Sequence, residues 1–421
     1  MSVSLKGYHS SKDGIGVTFE DIYIIDGKRT PFGKFTGSLS TVSPTDLGIH
    51  AAKAALQASD IDGGEIDQVI AANIGQANSD CFFLPRHIAL YAGTPPGIPA
   101  LLVQRICGSG VELLGQAAEQ IAVGKAQVVL GVGCETMSRY PLVSYSARQG
   151  FPLGRPDYVD LLWEALNDTA AVPMGRTADN LAEKYTLSRE EVDAYAFRSQ
   201  NRYAAARDAG FFDGEIVPVP ARGQFELDNL ITRKFKCANR DGLSMDEHPR
   251  QTTLEQLANL RPVFSKDGPT TAGNASGIVD GAAAAVVASG DYVRAHGLKP
   301  IGKIRGFASA GVDPHFMGIG PVPAIRSITK ALGMTPGDID RYEINEAFSA
   351  QVLSCARELG LDEETLNVNG GAVALGHPLG VTGVRLAHTV LRTLARDDKQ
   401  FGVASACIGG GQGIAMVVER C

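Results

Sequence analysis

Short β-branched runs alternate with longer amphipathic stretches over most of this chain of 421 residues. Such alternation is typical of β-strands connected by helices, and it predicts an α/β fold with parallel strands. We expect strands at 21–26, 68–73, 127–133, 302–307, 341–345 and 402–407. We expect helices at 43–59, 109–123, 321–332, 346–359 and 380–395. The length favours two or three structural units rather than one.

The middle of the chain differs from the rest. Residues 141–277 combine charged, helix-forming sequence, such as 188–209, with turn-rich sequence that contains few strand-like runs. We therefore predict that 141–277 form a loop domain inserted between two α/β halves. The N-terminal half would comprise 1–140 and be completed by about 278–297, and the C-terminal half would comprise 298–421.

The two halves also resemble each other in layout. In the first, a turn that contains Cys107 leads into a helix and then a strand, and in the second a turn that contains His377 leads into a helix and the strand ending at Cys407. Because strand–turn–helix–strand units are common, this likeness is only weak support for an internal duplication. If the two turns meet across a pseudo-twofold axis, Cys107, His377 and Cys407 lie together.

Charge and hydropathy limit the partners of the chain. With 39 basic and 46 acidic residues the net charge is −7, which predicts no nucleic-acid or anionic-membrane partner. The longest small or apolar run, 281–288, is far shorter than the roughly 20 residues needed to span a bilayer. The first twenty residues contain no arginine and resemble neither a secretory signal nor a transit peptide. We therefore expect a cytoplasmic protein that acts on small molecules.

The seven cysteines show no metal-binding pattern, because no two of them have the spacing of a zinc knuckle. We expect no metal site, and most cysteines should be reduced and buried. Cys107 differs because Gly-Ser-Gly and a predicted helix follow it, and helix N–H groups near its sulfur would lower its pKa and favour a thiolate. The alternative is a buried structural cysteine beside a glycine turn.

His377 and Cys407 stand out for the same reason. His377 follows a run of glycines and alanines that lets the backbone crowd around the imidazole, and an imidazole beside a thiol can accept its proton. A lone histidine is more often structural. Cys407 precedes Ile-Gly-Gly-Gly, which lacks the features of a nucleotide-binding loop. Its glycines could instead expose backbone N–H groups as an oxyanion hole beside a second reactive thiol.

Together these segments make the chain resemble the thiolases, acyl-CoA C-acyltransferases, over almost its whole length. The motifs that carry the resemblance are Cys-Gly-Ser-Gly at 107–110, Thr-Ala-Gly-Asn-Ala-Ser-Gly at 271–277, Asn-Glu-Ala-Phe at 345–348, Gly-His-Pro at 376–378 and Cys-Ile-Gly-Gly-Gly at 407–411. The resemblance implies a thiolase-like α/β fold of two duplicated halves with an inserted loop domain. It also implies a homodimer or homotetramer.

The implied reaction is the cleavage of 3-ketoacyl-CoA by CoA, in fatty-acid β-oxidation, through an acyl-cysteine. By resemblance Cys107 is the nucleophile, His377 is its base, and Cys407 is the acid/base for the C2 carbon. One oxyanion site combines His377 with a water held by Asn345, and the other uses the N–H groups of Cys107 and Gly409. A thiol suits the acid/base role because its pKa, ordinarily about 8.5, can be tuned close to neutral.

The resemblance also implies that CoA is a co-substrate and that no cofactor is bound permanently. Ser276 matches the position that meets the pantetheine arm. Arg250 matches, less closely, a basic residue near the adenine and phosphates. The positions that match the walls around the pantetheine are Ala272, Met174, Ala347 and Phe348. The stretch 272–285 can also be interpreted as simply a tightly packed turn and helix.

Two alternatives to the degradative activity remain. Many acetoacetyl-CoA thiolases have His-Met-Gly where this chain has Pro173-Met174-Gly175, and proline would offer the acyl chain an apolar wall. This difference favours the degradative branch over acetoacetyl-CoA synthesis from two acetyl-CoA without excluding the latter. The other alternative is a non-catalytic lipid carrier or scaffold of the same fold, which would be expected to lack one of the three reactive side chains.

Overall fold

A computed structural model describes residues 5–10, 14–154 and 156–421. Its strands are β1 (Leu5–Ser10), β2 (Gly14–Phe19), β3 (Ile22–Arg29), β4 (Gly33–Lys34), β5 (Gln68–Ala72), β6 (Ala100–Val103), β7 (Val128–Thr136), β8 (Leu142–Val143), β9 (Val159–Asp160), β10 (Arg222–Phe225), β11 (Arg233–Lys236), β12 (Val279–Ser289), β13 (Gly302–Gly311), β14 (Arg341–Ile344), β15 (Phe401–Ile408) and β16 (Gln412–Arg420).

The α-helices cover the long amphipathic stretches. They are α1 (Pro44–Ser59), α2 (Leu84–Tyr91), α3 (Ser109–Ala122), α4 (Leu161–Leu166), α5 (Met174–Lys184), α6 (Arg189–Asp208), α7 (Leu254–Ala258), α8 (Gly290–His296), α9 (Pro321–Ala331), α10 (Ser349–Leu359), α11 (Ala372–Leu375) and α12 (Thr382–Asp397). Each predicted strand and helix has a counterpart here, so the α/β prediction is confirmed. Among the described helices, none has both the length and the apolar character that a membrane crossing requires.

Most strands join one mixed sheet in the order β14-β15-β16-β13-β3-β12-β7-β5-β6. The prediction of parallel strands is right only at the two ends of this sheet, where β14 pairs with β15 and β5 pairs with β6 and β7. The central pairs are antiparallel. The reason is plain for β15 and β16, because three residues connect them and a parallel crossover needs a dozen or more.

Strand β12 corrects a second expectation, that 272–285 forms a turn and helix. Val279–Ser289 is a strand whose eleven residues are all buried between β3 and β7. In a strand that is buried on both faces, apolar and polar residues do not alternate, and the sequence is a continuous run of small or apolar residues. Its alanines conceal its nature, because alanine favours helices when a sequence is taken in isolation.

The buried side chains form three large clusters that arrange the molecule in layers. The central cluster joins α3 and α12 to strands of both halves, as Leu114, Leu386, Val129 and Met416 illustrate. A second cluster packs α1 and α2 on the outer face of the N-terminal strands, and a third packs α9 and α10 on the outer face of the C-terminal strands. The turns that begin α3 and α12 therefore face each other at the centre of the molecule.

The region 141–277 contributes four helices and two small two-stranded sheets among its described residues. A buried ion-pair network fixes it to the core. Arg29 of β3, only 1% exposed, bonds Glu215 Oε2 at 3.1 Å and both carboxylate oxygens of Asp246 at 2.7 and 3.0 Å. Because losing one partner would leave a buried charge unpaired, this network holds the inserted region firmly in position. The domain boundaries at 140/141 and 277/278 stay a prediction.

Candidate active site

Cys107 lies in a tight turn between β6 and α3. A single 3₁₀ turn, Ile106–Gly108, leads directly into α3 at Ser109. The Ser109 hydroxyl accepts a hydrogen bond from the Arg105 N–H at 2.6 Å and donates one to the Ile106 carbonyl at 2.8 Å. Ile106 has a φ of 42°, which is rare for a β-branched residue and costs about 1–3 kcal/mol. The strain lies next to Cys107, and strained residues of this kind cluster at functional sites.

Burial dominates the electrostatics of Cys107. The residue is 3% exposed, and this burial raises the pKa of its thiol to about 11. The nearby backbone N–H groups of Gly409 and of Cys107 itself favour the thiolate and oppose the rise in pKa. The expected lowering of the pKa by the start of α3 is therefore wrong for the substrate-free protein, because desolvation of the thiolate outweighs these donors. The N–H groups of Cys107 and Gly409, which the sequence predicts as oxyanion-hole donors, lie near this sulfur, and their role stays a prediction.

His377 is held in one orientation by its own loop. Gly376 before it has a φ of 97°, and a Cβ there would lie 2.3 Å from Val279 Cγ1, so only glycine fits. His377 Nδ1 is 2.6 Å from the Thr382 hydroxyl oxygen, and that hydroxyl donates its proton to the Pro378 carbonyl at 3.1 Å. The hydroxyl must then accept from Nδ1–H. This chain of bonds assigns the proton to Nδ1 and leaves the lone pair on Nε2.

The imidazole of His377 is neutral in this environment. Burial, with a smaller contribution from Arg385, lowers its pKa to about 3. Its Nε2 is buried and has no hydrogen-bond partner in the described part of the chain. The resting pair is thus a neutral thiol and a neutral imidazole, and the free Nε2 lone pair is available to accept a proton.

Cys407 ends β15, just before the glycine turn that leads to β16. It is fully buried, and this burial raises its pKa well above the usual value, with a further contribution from the Cys107 charge. The neighbouring residue Ile408 contacts the Cys107 turn, since a Cβ on Gly108 would lie 2.5 Å from its Cδ1. Cys407 packs in a small cluster with Met317 and Ala347, against which Met174 and Phe348 also lie.

The two glycine turns meet as the sequence predicts. A Cβ on Gly110 would lie 2.6 Å from the Gly383 nitrogen, so α3 and α12 touch through their first turns. Leu379, two residues after His377, packs in the same cluster as Cys107. The structure thereby brings together the segments that carry Cys107, His377 and Cys407, although they lie far apart in the sequence.

Asn345 and Glu346 follow β14 at the same centre. Asn345 is fully buried, and neither its amide nitrogen nor its amide oxygen has a partner among the described residues. An unpaired buried amide is costly unless a ligand or water completes it. Glu346, which the sequence analysis did not single out, accepts hydrogen bonds from Tyr195, Ser199, Asn367 and the Val373 N–H at 2.7–3.0 Å. It ties α6 to the loop that leads to His377.

The predicted CoA contacts form a continuous wall beside this centre. The Ser276 N–H donates to the Ala347 carbonyl at 3.0 Å, and Ala275 bridges Phe348. The exposed Arg250 reaches the carbonyl of Ala272 at 2.9 Å, so its guanidinium stays near the other predicted contacts. Met174 approaches from α5, where its methyl would lie 2.2 Å from a Cβ on Gly409.

A cavity of about 640 Å³ opens on the other side of the Cys107 turn. Its lining includes Ile106, Met174 and Gly409, and none of Ser276, Ala272 or Phe348. Pro173 is exposed and does not line it, so the expected apolar wall from this proline is wrong. The proline precedes α5 and bridges Asn167 on the surface instead.

Sequence reasoning missed two groups that organise the centre. One is Thr382, whose hydroxyl binds His377 Nδ1. Its place only five residues after His377 could have indicated this contact. The other is Glu135, which is fully buried and accepts from the Gly75 and Gly380 N–H groups at 3.1 Å and from the Tyr140 hydroxyl at 2.9 Å. Its burial raises its pKa to about 7. Its partners lie far away in the sequence, so no local pattern identifies it. The described residues contain no cluster of metal ligands.

Comparison with known proteins agrees with this geometry. Residues 22–291 match the family model of the thiolase N-terminal domain, and residues 298–420 match that of the thiolase C-terminal domain. The chain belongs to the thiolase family. Its two α/β halves are thus those of the thiolase fold, and it is an acyltransferase.

Several thiolases are similar to this chain over nearly their full length. The mitochondrial 3-ketoacyl-CoA thiolase of Homo sapiens is 45% identical over 401 residues, covering 94% of this chain and 98% of that protein. The beta-ketoadipyl-CoA thiolase of Pseudomonas aeruginosa is 42% identical, covering 95% and 99%. The crystal structure of the human mitochondrial thiolase in complex with CoA has a TM-score of 0.89 at 43% identity, covering 98% and 100%.

The position of Thr382 in this thiolase leads to a prediction about the imidazole tautomer. Thr382→Val removes the acceptor for Nδ1–H, so His377 should populate the wrong tautomer and kcat should fall about 10–100-fold, as at other sites where a partner orients a histidine. Thr382→Ser keeps the hydroxyl and should restore most activity. Nitrogen chemical shifts of the imidazole measure the tautomer directly. Equal rates for the valine and serine variants would contradict this role.

Proposed function

We propose that this thiolase cleaves 3-ketoacyl-CoA with CoA, releasing acetyl-CoA and a shortened acyl-CoA. The observation that carries the proposal is the convergence on one buried centre of the Cys107 thiol, the two backbone N–H groups at its sulfur, and the unpaired polar atoms of His377 and Asn345. Unpaired buried groups of this kind are expected where a polar substrate completes the hydrogen bonding.

The first half of the reaction forms the acyl-enzyme. His377 Nε2 accepts the Cys107 proton, and the thiolate attacks C3 of the substrate. The Cys107 and Gly409 N–H groups hold the charge on the C3 oxygen. When the C2–C3 bond breaks, its electron pair passes to the acetyl-CoA enolate, which Cys407 protonates at C2. The protonated His377, with the Asn345 amide acting through water, holds the enolate oxygen.

The second half transfers the acyl group to CoA. The thiol of CoA loses its proton to the Cys407 thiolate left by the first half, attacks the acyl-Cys107 thioester and expels the thiolate, which recovers its proton from His377. Ser276, Ala272, Met174, Ala347 and Phe348 would enclose the pantetheine, and Arg250 would lie near the phosphates. In this scheme CoA is a co-substrate and no cofactor stays bound. The presence of all three reactive side chains speaks against a non-catalytic carrier.

Chain length separates the degradative from the biosynthetic role. Because the cavity beyond Cys107 has room for a tail and each buried methylene contributes about 0.8 kcal/mol, we expect 3-ketooctanoyl-CoA to be cleaved with a kcat/KM at least equal to that of acetoacetyl-CoA. The measurement is CoA-dependent cleavage of C4, C8 and C16 substrates. Activity on acetoacetyl-CoA alone would favour acetoacetyl-CoA synthesis and refute the degradative proposal.

The assembly we propose is a homodimer or homotetramer. Strand β6 ends the main sheet, and its Leu101 and Leu102 are each 40% exposed. An unpaired edge with exposed leucines can pair with the same strand of a second copy. Exposed Leu142 and Trp163 support a second contact. Light scattering should report two or four chains, and Leu102→Lys should favour monomers. A stable, active wild-type monomer would contradict the proposal.

We propose a cytoplasmic location, which the seven free cysteines support because thiols stay reduced in that compartment. The similar human protein is named as mitochondrial, so that relative does not support a cytoplasmic location. Cell fractionation with antibodies against this chain tests the proposal. Recovery in a membrane-enclosed organelle would contradict it.

A further inference from the structure

The cavity beyond Cys107 carries a charge pattern that bears on which acyl tails enter it. Its lining includes two carboxylates, Glu164 of α4 and Asp168 in the loop that follows. The other polar side chains of the lining are Gln76, Gln104, Asn167 and Thr169, with Tyr140 and Tyr145. Lysine, arginine and histidine are all absent from this lining in the described part of the chain.

The two carboxylates are not neutralised by their neighbours. Within the described residues neither Glu164 nor Asp168 takes part in an ion pair, and the Asp168 carboxylate accepts only the Ala170 N–H, at 2.9 Å. Asp168 is half-buried, and Glu164 is exposed at the mouth of the cavity. Two arginines that adjoin lining residues in the sequence are engaged elsewhere. Arg105 bonds Glu112 at 2.9 Å, and Arg139 bonds the carbonyl of Ala77 at 3.1 Å and the amide oxygen of Asn78 at 3.2 Å.

The position of the cavity makes it the place for the tail of the acyl group. Gly409, whose N–H lies near the Cys107 sulfur, is in its wall, as is Ile106 next to Cys107. Ser276 and Phe348 lie outside the cavity, and Met174 borders both the cavity and Phe348. We therefore assign the acyl tail to the cavity, with Met174 between it and the side that we assign to CoA.

We propose that Glu164 and Asp168 make this enzyme selective for 3-ketoacyl-CoA with an uncharged tail and exclude tails that end in a carboxylate. This inference rests on the proposed function. A terminal carboxylate would meet two like charges without a cation in the lining to pair with, and like charges brought together repel one another, by about 1 kcal/mol per pair where water reaches them. An alkyl tail of equal length is free of this repulsion.

Two substrates of the same chain length test the proposal. Both 3-oxohexanoyl-CoA and 3-oxoadipyl-CoA have six-carbon acyl groups, and they differ in a terminal methyl or carboxylate. We expect the wild-type kcat/KM to favour 3-oxohexanoyl-CoA by about 10-fold. Glu164→Gln and Asp168→Asn should each reduce this ratio about 2–4-fold, and the double variant should reduce it further, by raising activity on 3-oxoadipyl-CoA alone. Higher salt should also reduce the wild-type ratio.

The matched control is Glu255→Gln, which removes the same charge from an exposed position outside the cavity and should leave the ratio unchanged. Equal wild-type cleavage of both substrates, or an unchanged ratio in the double variant, would overturn the inference while leaving the proposed function intact. A folded wild-type protein that cleaves neither substrate would overturn the proposed function and this inference with it. Thermal melting confirms that each variant is folded.

Discussion

Replacing Cys107 with alanine should abolish acyl transfer, with kcat/KM falling by at least ~10⁴-fold, because no other group can form the acyl-enzyme in this site. Incubation of the wild-type protein with acyl-CoA, followed by peptide mass spectrometry, should find the acyl group on Cys107. The exposed Cys421 offers a matched control, since Cys421→Ser removes a thiol without touching the centre. An acyl group found only on another residue would refute the assignment.

The raised pKa of Cys107 adds a pH dependence to this result. A pH of 7 is about four units below the pKa of about 11 of the substrate-free Cys107 thiol, so only a small fraction is present as thiolate. That fraction rises about tenfold for each unit of pH until the pKa is approached. We therefore expect the alkylation of Cys107 by iodoacetamide to accelerate throughout pH 7–10. A rate that reaches its plateau near pH 7 would indicate a preformed thiolate and contradict the neutral resting pair.

Cys407→Ala should separate the two chemical steps. Without the acid/base thiol, exchange of the acetyl-CoA methyl protons with solvent should fall by about 10²–10⁴-fold. Acylation of Cys107 by acetyl-CoA should continue, because that step moves no proton at C2. His377→Ala should differ from Cys407→Ala because it should slow the acylation of Cys107, which then lacks its base.

Proton exchange is followed by NMR in deuterated water, and acylation by mass spectrometry on the same samples. Cys407 lies in a tight cluster with Met317 and Ala347, so Cys407→Ser serves as a second variant that preserves volume. A serine hydroxyl is far too weak an acid for this role and should be as slow as alanine. Undiminished exchange in either variant would contradict the role assigned to Cys407.

The fold was predictable in its elements and less so in their pairing. Amphipathic periodicity and β-branched runs located five of the helices and six of the strands, because each pattern depends on residues close together in the sequence. They did not locate β12, whose alanines suit a helix until β3 and β7 cover both of its sides. They also did not indicate that the centre of the sheet is antiparallel, which depends on partners that lie far apart in the sequence.

The candidate reactive side chains could likewise be named from the sequence, and their electrostatics could not. Cys107, His377, Cys407 and Asn345 lie in short motifs that can be read locally. The expected thiolate at Cys107 was wrong because a helix terminus is visible in the sequence, whereas burial by residues hundreds of positions away is not. Pro173 was misplaced for a similar reason, since its side chain faces solvent and not the cavity.

The sequence by itself determined the α/β class and the motifs of the thiolase family, because periodicity and motifs are local properties. Only the tertiary structure decided which atoms meet. It placed the Gly409 N–H near the Cys107 sulfur, Glu135 between the Gly75 and Gly380 loops, and Glu164 and Asp168 in one cavity. Burial and charge at a site are sums over neighbours from the whole chain, so they exist only once the chain has folded.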